Sequence, residues 1–175
     1  PEGVRAGCGA NGTLSHLMAE VFAQAADFRM THVPYLGSGP AMPDLLAGRI
    51  DGMFNSYLTT QAYLSSGKIR PLGMASRARA AEMPDVPTFA EAGWPAVSVD
   101  YWLGLVGPIG LPAPVAQAVR DALGKVLQAP AGGEKFRNLA VTPAQAVSAS
   151  ALRSAIESDY RRWGDVVRER NIAAN

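Results

Sequence analysis

The stretch CGANGTLSHLMAEVFAQA, residues 8–25, places a turn of small and polar residues directly before an amphipathic segment. Apolar residues recur there at the spacing of one helix face: Leu14, Leu17, Met18, Val21, Phe22 and Ala25. Thr13 stands at the position of a helix N-cap. The pattern predicts a helix that begins beside Thr13 and packs one face against a core.

The same order of strand, small polar turn and helix occurs twice more. A strand expected over 28–33 leads to the turn Gly37-Ser38-Gly39-Pro40, which opens a second helix. A strand expected over 50–54 leads to Asn55-Ser56 and a third helix. Alternating strands and helices indicate an α/β fold with a mainly parallel sheet.

The second half of the chain reads differently. Further strands are expected over 69–75 and 97–107, a capping box over 88–91, a helix from Pro112, a break over 129–133 and a last helix over 148–170. Because the alternation stops near residue 107, we expect a boundary close to the strand over 97–107.

Composition excludes several classes of protein. The 175 residues carry a net charge of +1, so they give no basic footprint for nucleic acid. No apolar run is long enough to cross a membrane. The single cysteine, Cys8, excludes an internal disulfide, and His16 and His32 lack the spacing of metal ligands. The nucleotide-binding glycine motifs are absent, so we expect no cofactor.

Chemistry is most strongly indicated at the three turns. In an open α/β sheet such turns meet at the carboxyl ends of the strands, where ligands bind. Each helix start offers backbone N–H groups and the positive end of a dipole, which together suit an anion. Small polar residues are also ordinary helix caps, so the turns alone leave both readings open.

Other candidate residues have plainer readings beside the functional ones. Cys8 and His16 could act as nucleophile and base, or be a buried apolar residue and a helix residue. His32 is read as structural or facing solvent. Asp51 is read as a turn-forming side chain or a ligand contact.

Five segments in order resemble one known family. They are GTLSHL (12–17), HVPYLGSGPA (32–41), DLLAGRIDGMF (44–54), MPDVPTFAEAG (83–93) and WLGL (102–105). The chain resembles the Bug family, the extracytoplasmic solute receptors of tripartite tricarboxylate transporters. The resemblance covers essentially the whole chain but only the C-terminal portion of the longer family members.

The resemblance implies a type II periplasmic-binding-protein-like fold, with one nearly complete lobe and the C-terminal part of the other. It assigns residues 1–98 to the second lobe, 99–107 to a return crossover strand, and 108–175 to the helical tail of the first lobe. It implies a monomeric periplasmic protein that hands a small organic acid or amino acid to membrane permease subunits. No catalysis is implied.

Backbone N–H groups at the loop-to-helix turns are expected to hold the ligand's carboxylate. The ligand-binding candidates are Ala10, Asn11, Gly12, Thr13, His16, Tyr35, Gly37, Ser38, Asn55 and Ser56. Asn55 stands where the family often has Asp, so an amide donor replaces an acceptor there, and we expect it to favour a more anionic ligand group.

Two other functions remain open from the sequence. One is an α/β enzyme that uses Cys8 or Ser38 as nucleophile. The other is the ligand-sensing domain of a regulator, against which the near-neutral charge and the absence of a helix-turn-helix both count.

Overall fold

The computed structural model describes residues 3–138, 141–144 and 148–173. Its sheet has three parallel strands in the order β2-β1-β3. The strands are β1 (Val4–Cys8), β2 (Met30–Pro34) and β3 (Gly52–Met53). This arrangement confirms the α/β fold expected from the alternating pattern.

Three helices follow the three strands, each close to the predicted position. They are α1 (Leu14–Ala25), α2 (Ser38–Leu46) and α3 (Tyr57–Ser65). Leu17 N donates to the carbonyl of Thr13, which makes Thr13 the N-cap of α1 as predicted. The helices of the second half are α4 (Ala113–Gln128), α5 (Pro130–Asn138) and α6 (Ala149–Glu169).

Two expected strands are wrong. Residues 69–75 contribute only an isolated bridge between Met74 and Thr88, and residues 97–107 form no strand. The two segments are joined by one backbone hydrogen bond, in which the Val99 N–H donates to the carbonyl of Ala75 at 2.7 Å. A run of β-branched and aromatic residues becomes a strand only where another strand offers a ladder of backbone partners.

Two further local predictions are confirmed in part. The expected break after the helix from Pro112 occurs at Ala129, whose ψ of 135° is extended, but α5 begins at Pro130 and takes in the rest of the segment over 129–133. Pro130 occupies a first helical position, where its missing N–H costs nothing. The capping box forms as predicted: Thr88 N donates to Glu91 Oε2 at 2.7 Å, and Glu91 N donates to Thr88 Oγ1 at 3.1 Å. It closes a series of turns rather than a helix.

Aromatic rings build the core beside α1. Phe22 contacts the rings of Phe89 and Trp94 edge-on, with centroids 4.9 and 5.4 Å away. Met18 and Val97 are buried in the same cluster, and Trp163 of α6 packs against it. The apolar stripe predicted for α1 is therefore the face that holds this helix on the core.

The described residues form two compact units. One consists of the residues up to Asp100 together with those from Asp159 onward, and the other is Tyr101–Ser158. The assignment of residues 1–98, 99–107 and 108–175 to parts of two lobes stays a prediction. Among the described helices, none has the length and apolar character needed to cross a membrane.

Candidate functional site

Three loops lie at the carboxyl end of the parallel sheet, each leading into a helix. They are the β1–α1 loop (residues 9–13), the β2–α2 loop (35–37) and the β3–α3 loop (54–56). Backbone hydrogen bonds join the first two: Tyr35 N donates to Cys8 O and Gly37 N donates to Gly9 O, both at 2.9 Å. The sheet thus places three helix N-termini at one edge.

The β1–α1 loop is held by its own hydrogen bonds. Gly9 N donates to Ser15 Oγ at 3.1 Å, and Thr13 Oγ1 donates to the carbonyl of Ala10 at 2.8 Å. Gly12, at φ +75°, donates its N–H to His16 Nδ1 at 3.1 Å. His16 therefore touches this loop, whereas the neighbouring candidate Asn11 is half-buried within it.

The β2–α2 loop depends on Gly37. Its φ of +102° with ψ of 172° is a conformation that side chains strongly disfavour. Ser38 begins α2 directly after it, so its backbone N–H belongs to the helical turn that has no internal acceptor. The sequence placed Gly37 and Ser38 at a ligand-facing turn, and the structure puts them at the same sheet edge as Gly12.

Tyr35 is engaged within the protein through its side chain. Its hydroxyl donates to Asp44 Oδ2 at 2.8 Å, and Arg49 Nη1 donates to Asp44 Oδ1 at 2.7 Å. The hydrogen bonds from Arg49 and then Tyr35 lower the pKa of Asp44. Desolvation, followed by the hydrogen bond to Asp44, raises the pKa of Tyr35. The Tyr35 hydroxyl thus anchors the loop to α2.

The β3–α3 loop is ordered by Asn55. Its Oδ1 accepts from Ser56 N at 2.9 Å and from Thr59 Oγ1 at 2.8 Å. The Ser56 hydroxyl lies 2.7 Å from the same Thr59 oxygen. The Oδ1 atom is therefore occupied by two donors within the protein. The amide nitrogen of Asn55 lies 3.9 Å from Met53 Sδ, and it can still donate a hydrogen bond to a ligand.

Asp51 is part of an ion pair. Arg5 binds it through three nitrogens: the backbone N to Oδ2 at 2.8 Å, Nε to Oδ2 at 3.1 Å, and Nη2 to Oδ1 at 2.8 Å. These hydrogen bonds lower the Asp51 pKa to about 2. Asp51 precedes β3 at the edge opposite the three loops, so of its two readings the structural one fits.

Three residues near the site were missed or underestimated from the sequence. Ser15 accepts from the β1–α1 loop, and Glu20 and His32 lie beside His16. His32 Nε2 is 2.6 Å from Glu20 Oε1, and the two imidazole rings are 4.2 Å apart. The sequence did not predict this cluster because its members lie on two different elements. Glu20 is one helical turn from His16 on α1, whereas His32 lies on β2.

The cluster of His16, Glu20 and His32 is also the one group in the described part of the chain with donor atoms arranged as metal ligands could be. Its ligand atoms lie within 4.8 Å of one another. The spacing argument that excluded a metal from the two histidines therefore overlooked a contact made by folding.

Cys8 is poorly suited to nucleophilic chemistry. It is fully buried, and its sulfur lies 3.9 Å from the carbonyl of Val33. Desolvation raises the pKa of the thiol, so the reactive thiolate is disfavoured at neutral pH. The buried apolar reading fits this environment.

The family model of the tripartite tricarboxylate transporter family receptor matches residues 1–172. The chain belongs to this family. It is 34% identical over 165 residues to the UPF0065 protein in the tcbD-tcbE intergenic region of Pseudomonas sp. strain P51, covering 94% of this chain and 49% of that protein. It is 31% identical over 158 residues to Protein BugT of Bordetella pertussis, covering 90% of this chain and 48% of that protein. The resemblance to the Bug receptors is confirmed, and the chain spans about half the length of these two relatives.

Solved structures of receptors have the same fold. Rpa4515 of R. palustris with adipate superimposes with a TM-score of 0.89 at 28% identity, covering 99% of this chain and 57% of that one. MatC of Rhodopseudomonas palustris with bound malate superimposes with a TM-score of 0.85 at 26% identity, covering 94% of this chain and 56% of that one. The family is one of periplasmic solute-binding receptors, and this chain has their α/β fold.

Proposed function

We propose that this chain binds a small carboxylate-bearing solute at the three loops and acts as a periplasmic receptor for a tripartite tricarboxylate-type transporter. The observation that carries the proposal is the convergence of three helix N-termini at one sheet edge. The first turn of each helix has backbone N–H groups without an acceptor inside the helix, and the helix dipoles favour a negative charge.

The charges around the sheet agree with this proposal. Asp44 on α2 and Asp51, which precedes β3 at the opposite end of the sheet, are paired with Arg49 and Arg5. Their negative charge is therefore partly neutralised and does not oppose an incoming anion. An anion held by backbone dipoles needs no arginine or lysine of its own.

Ligand contacts are proposed for each loop in turn. Asn11, Gly12 and Thr13 lie in the first loop, Gly37 ends the second loop, and Ser38 starts α2. Asn55 and Ser56 offer a side-chain amide, a hydroxyl and a helix start in the third, and Ala10 and Tyr35 complete the walls of the first and second loops. His16 orients the first loop rather than meeting the ligand.

The relatives with ligands in their names support the choice of solute. One binds adipate and another malate, which are both dicarboxylates. We propose the same chemical class here, with capture by a monomer and delivery to permease subunits as the consequence. The family is one of receptors, so we propose binding without turnover.

A thermal melt with matched ligands tests the proposal. Adipate, malate and citrate are compared with adipamide, which has adipate's carbon chain but no charge. A ligand at about 100 times its Kd adds roughly 2.7 kcal/mol of stability, and the midpoint rises accordingly. We expect a rise with an acid and none with the amide. An equal rise with both, or consumption of the acid that ceases in Cys8→Ala, would contradict receptor function.

A further inference from the structure

The Nδ1 atom of His16 accepts a hydrogen bond from the backbone of the β1–α1 loop. Gly12 N lies 3.1 Å from this atom. A ring nitrogen that accepts an N–H carries no proton, so the proton of the neutral imidazole is on Nε2. The loop conformation at Gly12 and the tautomer of His16 are therefore linked.

The Nε2 side of the same ring faces a carboxylate. Glu20 Oε1 lies 3.9 Å from His16 Nε2 and 2.6 Å from His32 Nε2. A negative charge facing Nε2 favours a proton there over a lone pair. Arg170 Nε lies 3.7 Å from the other Glu20 oxygen, so the carboxylate is held between two positively polarised partners.

His16 is buried, and its surroundings oppose a positive charge. Desolvation and then the proximity of His32 lower its pKa, while Glu20 acts in the opposite direction. The charged and titratable groups facing it are Glu20 on α1 and His32 on β2, with Arg170 behind Glu20. If His16 became charged, Nδ1 would carry a proton toward the N–H of Gly12, and two donors would face each other.

We propose that Glu20 and His32 are positioning residues for ligand binding, which act through His16 to hold the Gly12 loop in its binding conformation. The proposal rests on the β1–α1 loop being part of the ligand site. His32 holds the Glu20 carboxylate, Glu20 selects the Nε2–H tautomer of His16, and His16 holds Gly12. Protonation of His16 breaks the last link, so ligand affinity falls as the pH falls below the imidazole range.

A metal ion is the competing occupant of this cluster. Metal bound at His16 Nε2 would leave the ring's proton on Nδ1, against the N–H of Gly12. The hydrogen bond from Gly12 N to His16 Nδ1 therefore favours a neutral His16 with its proton on Nε2 over a His16 that binds a metal ion through Nε2.

The first test needs no ligand. Imidazole nitrogen shifts and amide exchange of Gly12 are measured by NMR on the full chain at pH 7.5. We expect the Nε2–H tautomer for His16 and a protected Gly12 amide. In Glu20→Gln, Gly12 exchange becomes roughly two- to tenfold faster, the range for loss of one hydrogen bond. Asp27→Asn, which removes another carboxylate near the end of α1, leaves Gly12 exchange unchanged.

The second test compares two histidine replacements at pH 8 to 5, with adipate and malate as probes. His16→Asn keeps an acceptor near the place of Nδ1 and cannot titrate, so it retains affinity and loses the acid-induced weakening. His16→Gln puts its amide near Nε2 and binds more weakly at every pH. A structural role alone would not separate these two variants in their pH profiles.

Several results overturn the proposal. They are an Nδ1–H tautomer in the wild-type chain, Gly12 exchange that is equal in the wild type and Glu20→Gln, or stoichiometric Zn²⁺ binding that shifts both histidines and is lost in His32→Gln. If the NMR results agree and neither dicarboxylate binds, the link from Glu20 to Gly12 stands as a property of the loop, and both its role in ligand binding and the dicarboxylate assignment fail.

Discussion

The backbone N–H of Gly37 donates to the carbonyl oxygen of Gly9 at 2.9 Å, which joins the β2–α2 loop to the β1–α1 loop. An ideal Cβ on Gly9 would lie 3.8 Å from the Gly37 Cα, so the two loops are in van der Waals contact. The N-termini of α1 and α2 are thus joined. Because of its positive φ, a change at Gly37 is expected to disturb both helix N-termini.

Gly37→Ala is expected to destabilise the chain and weaken ligand binding. The residue's φ of +102° costs a side chain about 1–3 kcal/mol. Urea unfolding measures the loss of stability, and the ligand-induced shift of the melting midpoint measures binding. Gly39→Ala is the matched control, because no atom lies within 4 Å of its ideal Cβ and its φ is not positive. Equal effects from the two changes would contradict the role given to the Gly37 conformation.

Asn55→Asp is expected to preserve the fold but weaken the binding of dicarboxylates. A carboxylate oxygen still accepts from Ser56 N and Thr59 Oγ1, so the start of α3 survives. The amide donor becomes a negative charge at the proposed anion site. Titration calorimetry with malate tests the change, and an uncharged diamide controls for shape. An unchanged preference for acid over amide would remove Asn55 from the site.

Asp51 is expected to make stability sensitive to acid. Its pKa is lowered from an ordinary 3.8 to about 2, so the Arg5 pair stabilises the folded chain fully above about pH 4. That contribution is lost as the pH falls from about 4 to about 2, because the unfolded state takes up the proton first. Asp51→Asn should flatten the stability curve in this window. Asp85→Asn controls for the removal of one exposed negative charge, and a curve that Asp51→Asn leaves unaltered would contradict the assignment.

Thr88→Val should destabilise the turn that covers the aromatic core. Thr88 is 2% exposed, and its hydroxyl accepts from Glu91 N and donates to Glu91 Oε2. Valine fills the same space without the hydroxyl, so both side-chain hydrogen bonds to Glu91 are lost, and one such bond contributes about 0.5–1.5 kcal/mol. Thr31→Val, on an exposed position of β2, is the control and should be nearly neutral. Chemical denaturation of both variants decides whether the capping box is stabilising.

The α1 helix and its loop were predictable because the features that specify them lie close together in the sequence. Residues 8–25 contain a small polar turn, an N-cap at Thr13 and apolar residues at helical spacing. Its start at Leu14 agrees with that prediction. The segment over 97–107 failed because strand formation depends on a partner elsewhere, and Val99 meets Ala75 through one backbone hydrogen bond.

By itself the sequence determined the α/β alternation, the three loops at helix starts and the membership of a receptor family, since periodicity and ordered motifs lie along the chain. Only the tertiary structure brought His32 on β2 beside Glu20 and His16 on α1, and joined Gly37 to Gly9. Those contacts arise from parallel strand pairing, which places residues far apart in the chain within hydrogen-bond distance. No local spacing records them.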